Sequence, residues 1–233
     1  MRDAFALLTT FGRRGGRLRA GALAWFPLVG VVLGAGVGCV WWATDRLWPR
    51  LVAGALTVAA DLAMTGALHL DGLADTADGL LPHAERERRL EIMRDPAVGA
   101  FGIAAVVAVL VLRTTALSSR APSVALVAGI WCAARATIAA VPRFVPYARE
   151  SGIASPLLDG ARGWTALWVI PAAGLAALGT GVGGAVAVAA AALAAIAVIA
   201  FAWRRLGGFT GDGLGAAIII AETVGLVVAA AKW

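Results

Sequence analysis

Asp71, Asp75 and Asp78 fall within the run His69-Leu-Asp-Gly-Leu-Ala-Asp-Thr-Ala-Asp78, which leads into a charged segment ending at Asp95. If the run is helical, an advance of ~100° per residue puts Asp75 about 40° to one side of Asp71 and Asp78 about 20° to the other, so the three carboxylates share one face. No Lys or Arg stands on that face to pair with them. Like charges so close repel, and a divalent cation is the simplest compensation. Aspartates with a glycine beside the first suit hard-oxygen ligation of Mg²⁺ or Mn²⁺, ions that bridge protein carboxylates to substrate phosphates. The competing reading is a solvated acidic helix face. It ranks second because the segment lies against apolar, membrane-type runs.

Other polar residues fit the same chemistry. Arg135 and Arg149 offer guanidinium groups that suit phosphate oxygens. Asp212 ends the turn Gly207-Gly-Phe-Thr-Gly-Asp212, where Gly207, Gly208 and Gly211 let backbone amides approach an anion, although a Gly-rich turn alone more often just links helices. Carboxylates for a metal beside Arg for phosphate make the kit for phosphoryl transfer, in which the protein mainly positions groups and neutralises charge. His69 adjoins the acids and is a candidate ligand or positioning group, or else a hydrogen-bonded interfacial histidine; His83 reads as loop. Asp61 lies inside an apolar run, where a carboxylate is either functional or a protonated or paired structural group.

Composition sets the surroundings of this kit. Of 233 residues 61 % are hydrophobic, the mean hydropathy is +0.84 and only 15 % are charged, which excludes an ordinary soluble domain. The longest polar stretch, about Leu70 to Val98, falls short of the roughly 50 residues a small domain needs, so residues 1–233 read as one integral-membrane domain. Its fold class is all-α, a polytopic helical bundle of about seven transmembrane helices. The spans run near Ala20–Ala43, Leu51–Leu70, Gly99–Leu117, Val124–Val141, Trp164–Leu178 and Ala185–Trp203, with a last apolar run through Glu222 to Lys232. Gly30, Gly34 and Gly38 recur at the four-residue spacing that lets a neighbouring helix approach. Glu85–Asp95 reads as a surface helix.

Charge orients the bundle. The N-terminal segment with Arg13, Arg14, Arg17 and Arg19, and the loops around Asp71, Arg149 and Arg204, are Arg-rich and belong in the cytoplasm, which makes the N-terminus cytoplasmic. All the polar motifs then share one face. The net charge of +6 is this membrane bias, and no nucleic-acid-binding signature accompanies it. Cys39 and Cys132 read as small core residues, and the Arg-bearing N-terminus lacks the apolar stretch of a cleavable signal peptide.

Four blocks carry a resemblance: Thr65-Gly-Ala-Leu-His-Leu-Asp-Gly-Leu-Ala-Asp-Thr-Ala-Asp-Gly79, Arg89-Leu-Glu-Ile-Met-Arg-Asp-Pro-Ala-Val-Gly-Ala-Phe-Gly102, Pro146-Tyr-Ala-Arg-Glu-Ser-Gly152 and Gly207-Gly-Phe-Thr-Gly-Asp-Gly-Leu-Gly-Ala216. In this order, over nearly the whole chain, they resemble the cobalamin synthase family, the adenosylcobinamide-GDP ribazoletransferases. The resemblance implies a Mg²⁺-dependent reaction at the bacterial inner membrane, on its cytoplasmic face. Adenosylcobinamide-GDP and α-ribazole, or its 5′-phosphate, would give adenosylcobalamin, or its 5′-phosphate, and GMP. Asp71, Asp75 and Asp78 would hold the metal, and one of them or Asp95 would take the hydroxyl proton. His69, Arg135, Arg149, Gly208, Thr210 and Asp212 would contact substrate. Partners beyond these substrates and the lipid bilayer, whether a second copy or other enzymes of B12 assembly, are left open.

Two other classes compete. A CDP-alcohol phosphotransferase also carries an aspartate-rich membrane helix, but the Arg of its Asp-Gly-x-x-Ala-Arg pattern is Asp75 here and its later aspartate spacing is absent. A transporter would use Asp61, Arg135 and Glu222 as intramembrane coupling groups, but the chain shows no convincing repeat.

Overall fold

The structure, a computed structural model, describes residues 1–10, 21–149 and 160–232; the Arg13–Arg19 cluster, Glu150 and Asp159 lie outside these residues. Among the described residues the chain is helical, with a single isolated bridge between Tyr147 and Phe209 and no strand. A short α1 (Arg2–Leu8) precedes a 3₁₀ turn and α2 (Phe26–Leu47). Then come α3 (Arg50–Thr65), α4 (Leu68–Leu80), α5 (Arg86–Ile92) and α6 (Ala100–Ser118). The chain ends with α7 (Val124–Ala140), α8 (Val169–Thr180), α9 (Val182–Leu206) and α10 (Gly211–Ala229). Six segments are long and apolar enough to cross a membrane, and α3 with α4 makes up to a seventh if the bent pair counts as one span.

The centre of the bundle is α7, buried from Leu126 to Ala140. Its close neighbour is α2, and the glycine row permits the approach: a Cβ on Gly30, Gly34 or Gly38 would fall 2.5–2.8 Å from backbone atoms of Trp131, Ala128, Val127 or Val124. The outer helices turn apolar side chains outward, Phe101, Ile103 and Val107 on α6 and Leu193 and Ile196 on α9. A lipid environment satisfies such faces.

The second apolar run departs from the sequence expectation in a way that builds the site. Instead of continuing to Leu70, the helix stops at Thr65 and α4 leaves at 91°. The stop is a Schellman turn: Gly66 takes the left-handed conformation (φ 62°), its N–H reaches the Ala63 carbonyl and the Ala67 N–H reaches that of Leu62. Ala67 follows at φ 56°, a strained value for a residue with a side chain. Thr10 covers this corner, donating its N–H to Met64 and its hydroxyl to Ala63.

Connectivity places the polar segments together. Helices α2, α6, α8 and α10 leave one end of the bundle and α3, α7 and α9 return to it, so residues 66–99, 141–149 and 204–211 gather there. Arg86 ties this end, donating to the carbonyls of Leu206 and Ala148. At the opposite end Arg120 caps α10 through the Ala229 carbonyl.

Candidate active site

Helix α4 carries the three aspartates past the first turn of α10. The contact is made at Gly72, where a Cβ would lie 2.8 Å from the Asp212 carbonyl oxygen, so the small residue sets how near Asp71 and Asp212 can come. Asp212 follows Thr210, whose hydroxyl accepts the Gly213 N–H at 3.0 Å and caps α10. Arg149 comes from the loop after α7. That loop is held in register by the Ala148 N–H to the Phe209 carbonyl and the Phe209 N–H to the Pro146 carbonyl, both 2.9 Å. The guanidinium reaches Asp212 as an ion pair (Nη2 to Oδ2, 2.9 Å) whose angle is off the line of a good hydrogen bond, and Nη2 also lies 3.4 Å from the Met93 carbonyl.

The three aspartates share the helix but not the same surroundings. Asp71 is exposed, Asp75 half-buried and Asp78 buried. Neither Asp71 nor Asp75 has a hydrogen-bond or ion-pair partner among the described residues, while Asp75 lies within electrostatic reach of Asp71, Asp212, Arg149 and Asp78. Asp78 is committed elsewhere: its two oxygens accept the N–H groups of Gly99 (2.7 Å) and Gly102 (2.9 Å), capping α6. Asp78, expected as a metal ligand, is thus placed as the cap of α6, with each oxygen engaged by one backbone N–H. No group of three or more His, Cys, Asp or Glu placed to hold a metal ion occurs among the described residues. The remaining pair, Asp71 and Asp75, still suits Mg²⁺, which is held by one or two carboxylates completed by substrate phosphates.

A cavity of about 150 Å³ opens at this mouth, lined by His69, Asp71, Tyr147, Arg149 and Asp212 together with apolar side chains. Burial pushes the Tyr147 phenol above its ordinary value, so it stays a neutral donor beside Arg149. His69 is buried in the wall, and its Nε2 has no partner.

Three expectations meet a different placement. Asp95 is exposed, accepts the Ala97 N–H at 2.9 Å, and lines a separate cavity of about 320 Å³ with Asp78 and Glu91. Gly208 is pressed against the loop, a Cβ there falling 2.4 Å from the Pro146 carbonyl, so it serves the Arg149 loop instead of cradling an anion. Arg135 does not line the mouth. It is fully buried, and its Nη1 donates to Glu222 Oε1 at 2.5 Å and to the Trp131 carbonyl at 3.2 Å. Paired with Glu222 inside the bundle, it is not among the residues that line the cavity at the mouth.

Sequence reasoning missed Arg113, which completes this buried cluster. It donates to Asp61 (2.8 Å) and Glu222 (3.2 Å), while the Trp131 indole N–H donates to Asp61 at 3.2 Å. The signal was present, since an arginine in an apolar span demands a partner. Also missed was Arg89, which caps α4 through the Gly79 and Leu80 carbonyls (2.9 and 2.8 Å). Burial lowers its guanidinium from its ordinary value, although a cation at a helix C-terminus is where the dipole favours one.

The fold and site define a polytopic membrane enzyme with an open acidic pair beside an Arg–Asp pair at one end of the bundle. The family model for cobalamin-5-phosphate synthase matches residues 1–230, and the chain belongs to that family, transferases of cobalamin biosynthesis. Among its relatives, a protein of Leptothrix cholodnii named adenosylcobinamide-GDP ribazoletransferase is 41 % identical over 84 % of this chain and 80 % of its own length. Proteins with the same name from Roseiflexus sp. (36 %, over 88 % of this chain and 77 % of theirs) and Shewanella amazonensis (37 %, over 91 % and 85 %) are similar throughout. No solved structure matches the chain.

Proposed function

We propose that the protein joins adenosylcobinamide-GDP to α-ribazole, or to its 5′-phosphate, releasing GMP at the cytoplasmic end of a bundle in the bacterial inner membrane. The observation that carries the reading is the pair of unpartnered carboxylates, Asp71 and Asp75, beside the Arg149–Asp212 ion pair. Family membership and the names of the relatives support the choice of substrates. The orientation rests on charge: the site end carries Arg86, Arg88, Arg89, Arg94, Arg143, Arg149, Arg204 and Arg205, against Arg46, Arg50, Arg120 and Lys232 at the other.

Asp71 and Asp75 would hold Mg²⁺, which when bound neutralises charge on the diphosphate. Arg149 offers its guanidinium to a phosphate oxygen, and Asp212 keeps that guanidinium turned toward the mouth. Tyr147, still protonated, adds a neutral donor at the rim. In the transfer a free ribose hydroxyl oxygen of the riboside, other than the 5′-oxygen that carries the phosphate in the phosphorylated acceptor, bonds to the phosphorus joined to cobinamide and the bond from that phosphorus to the GMP oxygen breaks. The hydroxyl proton passes to one of the two mouth carboxylates. The buried Arg113 and Arg135 hold α6 and α7 against α3 and α10 and keep the helices bearing the mouth in place.

The test is turnover by purified protein in lipid, following GMP and the corrinoid product with and without Mg²⁺. Mg²⁺-dependent formation of both, one for one, is expected. Neither product from folded protein would overturn the reading.

A further inference from the structure

The cavity at the mouth has two halves, and phosphate chemistry uses only one. Its rim is Asp71, Arg149 and Asp212, while its inner wall is apolar, built from the buried Leu23, Phe26, Ile138, Leu214 and Ile218. Set in that wall is His69, 4 % exposed, with a buried Nε2 that neither donates nor accepts a hydrogen bond. A buried polar atom without a partner is uncommon in a folded protein and points to a group that arrives later.

Three parts of the two substrates could fill the space. The corrin ring is far too large, since a cavity of roughly 150 Å³ takes about one benzene ring. Guanine carries donors and acceptors along a whole edge, and an apolar wall with one polar atom would leave them unpaired. The base of α-ribazole, a benzimidazole, is flat and apolar and has one ring nitrogen free to accept a hydrogen bond. One donor in an apolar wall matches that base. Its far ring fits the inner half, and the remainder leads out toward the charged rim.

We infer that the inner half of this cavity is the subsite for the aromatic base of the acceptor riboside, with His69 Nε2–H donating to the free ring nitrogen. The inference rests on the transfer reading above and adds to it the residue that reads the base. Anchoring the base at His69 leaves the ribose to extend toward Asp71 and Arg149, where its free attacking hydroxyl meets the diphosphate. His69 is thus a specificity residue, separate from the groups that neutralise phosphate.

The experiment compares benzimidazole riboside with indole riboside, identical in shape but with CH in place of the accepting nitrogen. The wild type, His69→Ala and His69→Gln are assayed with each, reading kcat/KM for the riboside and KM for adenosylcobinamide-GDP. The wild type should prefer benzimidazole by about tenfold, the worth of one buried hydrogen bond. His69→Ala should bring that ratio close to one while KM for adenosylcobinamide-GDP stays within about twofold, and His69→Gln, which keeps an N–H, should retain part of the preference. Leu214→Phe, which narrows the buried wall without replacing His69, should raise KM for benzimidazole riboside more than for a riboside with a single imidazole ring. An unchanged preference in His69→Ala, or a Leu214→Phe effect confined to adenosylcobinamide-GDP, overturns the subsite and leaves the transfer standing. Absence of turnover by the wild type with any riboside overturns the transfer reading itself.

Discussion

Two regions of this protein are made of the same materials, carboxylates and arginines, and they differ in what is left over. Inside the bundle, Asp61 and Glu222 present four oxygens and every one is used: Trp131 and Arg113 on Asp61, Arg113 and Arg135 on Glu222. At the mouth, Asp71 and Asp75 present four oxygens, and none has a partner among the described residues. In a membrane interior an unpaired charge is costly, so the inner cluster is charge-matched, two carboxylates to two guanidiniums, even though Arg113 Nε and Arg135 Nε and Nη2 have no hydrogen-bond partner; at the wet end a surplus of negative charge persists until a cation or substrate meets it. Residue type alone does not mark a functional site. Unpaired charge does.

Asp75→Asn should break the comparison hardest. It removes one mouth charge without touching a contact, so turnover should fall by about 10²–10³ or more while the detergent-solubilised protein melts as the wild type does; near-normal turnover would remove Asp75 from the site. Arg113→Met strips the inner cluster and leaves Asp61 and half of Glu222 unpaired. A stability loss of roughly 3–5 kcal/mol is expected in an unfolding titration, with partial recovery in the double variant Asp61→Asn/Arg113→Met.

Smaller changes sharpen the contrast within the aspartate helix itself. Asp78→Asn keeps one acceptor for the α6 N-terminus and loses the other, so it should cost about 1–3 kcal/mol of stability and far less turnover than Asp75→Asn. Equal loss of activity in the two variants at unchanged stability would return Asp78 to the metal. Thr210→Ala, which removes the helix cap two residues before Asp212, should cost about 1 kcal/mol, measured as a lower melting temperature with Mg²⁺-dependent turnover retained.

Much of this was legible without coordinates. Apolar run lengths located the spans to within a few residues, from α6 at Ala100–Ser118 to α7 at Val124–Ala140, because crossing a bilayer demands about 20 apolar residues whatever the neighbours are. The helical spacing of Asp71, Asp75 and Asp78 and the Gly30–Gly38 row were readable for a like reason, since helix periodicity is local. Local periodicity could not show that Gly66 and Ala67 turn the chain by 91°, or that the N-terminus of α6 arrives to claim Asp78. Nor could it show that Arg135 points to Glu222, 87 residues away, and not to the mouth. Sequence spacing determined which side chains could share a face, because that depends on a few consecutive residues. Which of them were already satisfied depended on hydrogen-bond donors brought from distant helices, and only the tertiary packing decided that.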